Sequence, residues 1–241
     1  MPASRAEGVD LKFICFALKE EAAPFRKIAA GKPGISVLIV GIGRQNAEKS
    51  VRGFLDSCRS RADETQIKEK LKTPHVVSYQ PNLVLTCGLA GGLNPDLKIG
   101  DVVFEVQSQE SRVQSRLLAA GAKPATFFCA DRIATTVAEK KQLREQTGAD
   151  AVEMESATIH AVCAEKKIPC ATVRVISDTA HEDLPLDFNA LARPDKNLDF
   201  GKLFLAIAKS PGKIPALMKL QKQTKFAAQQ LAAVLEKIVS S

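Results

Sequence analysis

A chain of 241 residues and 26.0 kDa, 45% apolar and 25% charged, is long enough to bury a substantial core, and its composition excludes a disordered tail, a collagen and a coiled coil. The longest apolar runs, such as Ile35 to Ile42, are far too short to span a bilayer. The net charge is +7, but from Gly201 onward there are seven lysines against the single acid Glu236, so the excess sits in the tail and the rest is near neutral. With one tyrosine and no tryptophan as stacking platforms, that distribution argues against a whole-domain nucleic-acid binder. The opening MPASRAEGVD lacks the apolar stretch of a secretory signal, and a cytoplasmic address is expected. The six cysteines (15, 58, 87, 129, 163 and 170) form no CxxC pair and mostly adjoin apolar runs, which predicts buried reduced thiols. His75, His160 and His181 are too scattered to suggest a metal site, and none is expected.

In chain order, LKFICFA (Leu11 to Ala17) and ISVLIV (Ile35 to Val40) read as strands, the second entered through the Pro33-Gly34 turn. Asn46 to Cys58 places Ala47, Val51, Phe54, Leu55 and Cys58 on one helical face. The polar stretch from Arg59 to Tyr79 reads as helix and loop. NLVLTC (Asn82 to Cys87) is a buried strand leading into the glycine-rich Gly88 to Gly92, and DVVFEV (Asp101 to Val106) is the next strand. Helices are expected over Ile133 to Gln146 and Glu155 to Lys166. CATVRVI (Cys170 to Ile176) is a further strand, and two more helices fill Leu203 to Val239. Continuous apolar strands alternating with helices predict a single α/β domain over 1–241, a three-layer α/β/α arrangement with a mostly parallel or mixed central sheet.

In such sheets ligands collect beyond the carboxyl ends of strands. The groups at those places are Lys19-Glu20-Glu21, Gly41-Ile42-Gly43-Arg44, Gly88 to Gly92 and Ser177-Asp178, with Glu153-Met154-Glu155 opening the helix before the last strand. Taken singly, acids there serve as helix caps and glycines as turn formers. GIGR lacks the full GxGxxG spacing, and GxxxxGK[ST] and GxSxG motifs are missing, which excludes a P-loop NTPase and argues against a hydrolase of the nucleophile-elbow type.

The ordered combination is more specific. ALKEE, VGIGRQNA, PNLVLTCGLAGGLNPDLKIGDVV, AVEMESATIHAVC and VRVISDTA together resemble the nucleoside phosphorylase family from about residue 11 to 190, and within it the nucleosidases that act on methylthioadenosine and S-adenosylhomocysteine. The resemblance implies cleavage of an N-glycosidic bond through an oxocarbenium-like transition state, with no metal or organic cofactor, in a homodimer. Asp178 matches the acid that protonates the leaving purine, kept protonated by a desolvated pocket, with Ser177 positioning it. Glu155 matches the carboxylate that binds the ribose 2′ and 3′ hydroxyls, with Met154 against the ribose face. Glu21 matches the glutamate that orients or deprotonates the attacking water. Leu89, Ala90 and Gly91 match the backbone lining the nucleophile side, and Phe188 the aromatic beside the 5′ substituent. Glu153 reads as a helix-start acid, and Arg174 as a buried ion-pair partner.

This chain departs from the family at Leu89, where the nucleosidases carry a small polar residue, and at Ile133, roughly where they place the phenylalanine that stacks on adenine. The backbone near Ile133 and Ala134 could still bond the base edge. Arg44 is the basic residue that could reach a phosphate. Release of adenine from a 5′-substituted nucleoside, with water rather than phosphate as nucleophile, is the first expectation. The short segment between Val106 and Phe127, with its polar SQESRVQSR, and the tail SPGKIPALMKLQKQTKFAAQQLAAVL carry a second resemblance, to hopanoid-associated phosphorylases, which implies a lipid-linked adenosine substrate. The basic amphipathic helix at about 213–239 could then lie on a membrane, with Leu217, Leu220, Ala227, Leu231, Val234 and Ile238 on one face and Lys219, Lys222 and Lys225 on another. Packing of that helix on the domain is the simpler expectation. A non-catalytic nucleoside-binding module is a third reading, opposed by the retention of Glu21, Glu155 and Asp178.

Overall fold

The computed structural model describes residues 11–63, 81–106, 111–193 and 200–240, with helix side chains at 59–63, 111, 200 and 204 outside that description. The expected loop between Arg59 and Tyr79 falls outside the described residues beyond Asp63. Among the described residues eight strands form one sheet: β1 (Lys12–Phe16), β2 (Ile35–Ile39), β3 (Leu83–Gly92), β4 (Val102–Val106), β5 (Lys123–Pro124), β6 (Phe127–Cys129), β7 (Ala151–Glu153) and β8 (Cys170–Asp178). The main path is β2-β1-β3-β8-β4-β5. β2, β1, β3 and β8 run parallel, whereas β4 is antiparallel to β8, so the sheet is mixed. β7 pairs antiparallel with the far end of β3, Gly91 opposite Val152, and parallel with β6.

The helices are α1 (Lys19–Ala29), α2 (Arg44–Asp63), α3 (Ser111–Ala119), α4 (Val137–Thr147), α5 (Ser156–Glu165), α6 (Phe200–Lys209) and α7 (Ile214–Val239). Side chains of successive strand residues go to opposite faces. Ile14 and Phe16 of β1, with Leu85, Cys87, Val173 and Val175, meet α1, α3 and the second half of α7. Phe13 and Cys15, with Val84 and Cys170, meet α2 and α5 through Ala47, Val51, Leu55, Ile159, Val162 and Cys163. Three layers result, as expected of a sheet buried on both faces. All six cysteines are reduced, and five of them are buried; burial pushes the Cys15 and Cys129 thiols up to about 12.

Three boundaries differ from the sequence reading. The glycine-rich segment is no turn, because β3 runs on through Gly88 to Gly92 and keeps its pairing with β8 to Gly91. The helix expected from Ile133 begins at Val137. There Thr136 accepts the N–H of Glu139 as N-cap, and left-handed Gly148 closes the other end. The polar segment before Phe127 holds α3, whose Val113 and Leu117 are buried.

The terminal helix divides in two. From Ala227 to Ile238 its inner face is core, while Lys219, Lys222 and Lys225, with Ile214 and Met218, are exposed in the first half. Among the described residues no helix is long and apolar enough to cross a membrane. Leu235 is fully buried in the core cluster shared by α1 and the sheet. Leu235→Ala should therefore cost about 2–5 kcal/mol, read as a lowered midpoint in a denaturant melt; a loss below about 1 kcal/mol would mean that α7 is not part of the core.

Candidate active site

A cavity of about 300 Å³ opens at the carboxyl ends of β1, β3 and β8. Each carboxylate in its wall is delivered by a separate element. Glu21 lies in the first turn of α1, where its Oε2 accepts the N–H of Leu18 at 3.3 Å. Glu155 stands just before α5, and Asp178 is the last residue of β8. The cavity wall also holds Met154, Ser177, Leu89, Ala90, Gly91, Ile133, Ala134 and Phe188, so every residue singled out from the sequence for catalysis or nucleoside binding lies around one space.

Arg174 is the residue beneath them. It is 1% exposed, on β8, and lines the same cavity as Glu21. Its Nη2 lies 2.5 Å from Glu153 Oε2, 3.2 Å from Glu155 Oε2 and 3.2 Å from Thr86 Oγ1. Its Nε has no hydrogen-bond partner among the described residues. Burial works against the guanidinium charge, but Glu153, Glu155 and Glu21 outweigh it and hold the group firmly cationic. The ion-pair reading of Arg174 describes its carboxylate contacts, but the residue also lines the cavity.

The four charges are not equivalent. Glu153 is buried, which works against its charge. Arg174, the Ser156 hydroxyl at 2.6 Å and the N–H groups of Glu155 and Ser156 nevertheless hold it below the usual range. Accepting those N–H groups makes it the helix-start acid expected. Glu155 is pushed up, chiefly by burial and also by Glu153, against the pull of Arg174 and of the Gly43 N–H, which donates to Oε1 at 2.9 Å. Burial also raises Glu21, to about 7; Arg174 opposes that rise and Glu155 adds to it.

Gly88 explains how backbone fits between these groups. Its φ of 148° lies outside the range that side chains favour, and a Cβ there would sit 2.8 Å from Arg174 Nη1 and 2.9 Å from Glu21 Oε2. The cation and the carboxylate therefore converge on one point beside β3.

At the other end, Ser177 Oγ donates to Asp178 Oδ1 at 2.7 Å, and Lys140 Nζ lies 2.6 Å from Asp178 Oδ2. Beside the Ser177 contact expected from the sequence, a fully buried ammonium also faces Asp178. Nothing in the sequence pattern marks Lys140, which sits at one of several polar positions of α4. Two loops close the side of the cavity. The Asn189 amide accepts the Ile133 N–H and donates to the Ile133 carbonyl, both at 2.9 Å, and the Leu184 N–H reaches the Thr135 carbonyl at 2.8 Å. Ile133 thus lines the cavity with its backbone N–H and carbonyl already bonded to Asn189, so of the expected Ile133–Ala134 backbone the Ile133 N–H is not available to a base edge. Arg44 is corrected as well. It is not among the wall residues; its Nε pairs with Asp131 at 3.2 Å and its Nη2 donates to the Cys129 carbonyl. The sequence reading missed Leu220 and Thr224 of α7, which complete the wall.

Residues 122–209 match the sequence pattern of the Phosphorylase superfamily. That partial match agrees with the mixed sheet covered on both faces. Among curated relatives, aminodeoxyfutalosine nucleosidase of Campylobacter jejuni is 32% identical over 98 residues, 40% of this chain and 39% of the relative. The 5′-methylthioadenosine/S-adenosylhomocysteine nucleosidase of Shewanella pealeana is 26% identical over 47% of this chain and 64% of its own. The chain thus spans less than two thirds of the length of either relative. Solved structures extend the likeness, as one of fold, to nearly the whole chain. Futalosine hydrolase of Helicobacter pylori superimposes with a TM-score of 0.64 at 18% identity, covering 96% of this chain and 98% of that one. The 5′-methylthioadenosine/S-adenosylhomocysteine nucleosidase of Neisseria meningitidis, in complex with methylthio-immucillin-A, gives 0.62 at 17%, covering 95% and 98%.

The Glu153–Arg174 pair is dry, and removing one charge strands the other. Glu153→Gln should destabilise the protein by about 3–5 kcal/mol, measured by chemical denaturation. A variant as stable as the parent would show that Glu155 and Glu21 alone compensate Arg174.

Proposed function

We propose that the protein is an N-glycosyl hydrolase that releases adenine from a 5′-substituted adenosine. The observation that carries this is the convergence of Glu21, Glu155 and Asp178 on one cavity, with Arg174 fixed between the first two. An oxocarbenium-like transition state needs negative charge beside the sugar, a nucleophile on one side and a proton donor to the base on the other. In this reading Glu155 holds the ribose hydroxyls with Met154 against the sugar, Glu21 takes the proton of the attacking water, and Asp178 protonates the purine. Ile133, Ala134 and Phe188 form the apolar wall for base and 5′ substituent, and Leu89, Ala90 and Gly91 border the nucleophile. The nucleosidases reported above act on substrates of this kind, which supports adenine as the base and does not favour the lipid-linked adenosine or the non-catalytic module.

Water is the nucleophile in this scheme for an electrostatic reason. The end of the cavity near Gly88 holds three carboxyl groups, Glu21, Glu153 and Glu155, around one guanidinium, and Arg44 is engaged elsewhere. A phosphate with nearly two negative charges would add repulsion where Arg174 is already matched.

The test is release of adenine from methylthioadenosine, S-adenosylhomocysteine, aminodeoxyfutalosine and adenosine, with and without phosphate. Phosphate-independent release of free sugar product is expected. Accumulation of ribose 1-phosphate would replace the hydrolase by a phosphorylase, and no release from any of the four would reject the reading. The acid limb of kcat/KM has a fixed sign. A base must be ionised to accept a proton, so with Glu21 raised to about 7 the rate should rise as pH increases through about 7 and level off above it. An acid limb near 4.5, the ordinary glutamate value, would show that Glu21 is not the base.

A further inference from the structure

Lys140 is 0% exposed, an unusual place for an ammonium, because removing it from water costs several kcal/mol unless every proton is matched. Here the match is complete. Nζ donates to the Thr179 carbonyl at 2.7 Å and the Glu182 carbonyl at 2.9 Å, and its third neighbour is Asp178 Oδ2 at 2.6 Å. Two of the three acceptors are backbone carbonyls in the segment that follows β8. They fix where the ammonium sits, independently of any ligand. The segment is itself tied down: Glu182 pairs with Lys219 at 3.1 Å and accepts from Gln223 at 3.4 Å, both on α7. Asp178 is consequently gripped on both oxygens, by Ser177 at Oδ1 and by Lys140 at Oδ2, with the carboxyl group facing the cavity.

We propose that Lys140 is a positioning residue for the acid, holding Asp178 in place and balancing the negative charge left on it when its proton passes to the departing base. This rests on the reading of Asp178 as general acid. In that step the glycosidic C–N bond breaks with its electron pair going to the base, the Asp178 O–H bond breaks, and a base N–H bond forms. The carboxylate that remains is matched by a charge already 2.6 Å away, and no group has to reorganise. Lys140 itself stays behind Asp178, outside the cavity wall, and acts only through it.

The test compares two leaving groups. Adenine needs the proton; p-nitrophenolate, released from p-nitrophenyl β-D-riboside, leaves without one. Lys140→Met should lower kcat for adenine release by about 10²–10³-fold with KM changed only a few-fold, and should lose far less on the nitrophenyl riboside. Lys140→Arg, which keeps a cation, should recover part of the loss. A cycle with Asp178→Asn adds an independent readout: once the acid is gone, removing Lys140 should cost less than about tenfold more. That double variant carries no unpaired buried charge, so it serves even where Lys140→Met alone fails to fold. Equal losses on both substrates, additive losses in the cycle, or wild-type adenine release by Lys140→Met would each overturn the proposal while leaving the nucleosidase reading in place. A wild-type protein that releases no adenine would overturn both.

Discussion

One guanidinium organises the carboxyl end of this sheet. Arg174 is buried on the central strand β8, where it would be costly unless surrounded by negative charge, and the surrounding groups come from three other elements: Glu21 from α1, Glu153 from β7 and Glu155 from the start of α5. The demand for compensation thus sets where a helix begins, where a short strand ends and how close backbone may pass. It also leaves the region with more acid than base, which is what a developing cationic sugar needs and what a phosphate does not. The electrostatics that hold the fold together at this end are the same electrostatics that the proposed reaction uses.

The terminal helix links the two ends of the molecule's architecture. Its second half is core, packed with α1 and the sheet through residues such as Leu231 and Leu235. Its first half contributes Leu220 and Thr224 to the cavity and, through Lys219 and Gln223, steadies the segment carrying the Lys140 acceptors. The apolar stripe seen in the sequence therefore serves two surfaces in turn, which explains why it reads equally well as a packed helix and as an amphipathic one.

The layered α/β architecture was legible because it depends on apolar strands alternating with periodic helices, a local pattern. The strand bearing Arg174 and Asp178 and the acids of α1 and α5 were placed at strand ends by the same logic, and they do line one cavity. What escaped was non-local. Gly88 to Gly92 look like a turn because only Leu89 and Ala90 carry side chains there, too few to show an alternation; the pairing with β8 and β7 decides the conformation. β5, β6 and β7 are two or three residues long, too short to carry a period. Arg44, read as a possible phosphate contact, is held instead by Asp131, far along the chain. Lys140 and Asn189 acquire their importance from partners about forty and fifty-six residues away, Thr179 and Glu182 for the first and Ile133 for the second.

Gly88 has a consequence for mutational tolerance. Any side chain there would have to displace Arg174 or Glu21 while also adopting an unfavourable backbone angle, although the residue donates no functional group of its own. A descendant of this chain could therefore retain all three carboxylates and the arginine, appear intact residue by residue, and still have lost the arrangement through a change at this silent position. For a sequence variant of uncertain competence, position 88 is accordingly a more telling indicator than the acids themselves, because the acids can persist as structural counter-charges long after the space between them has closed.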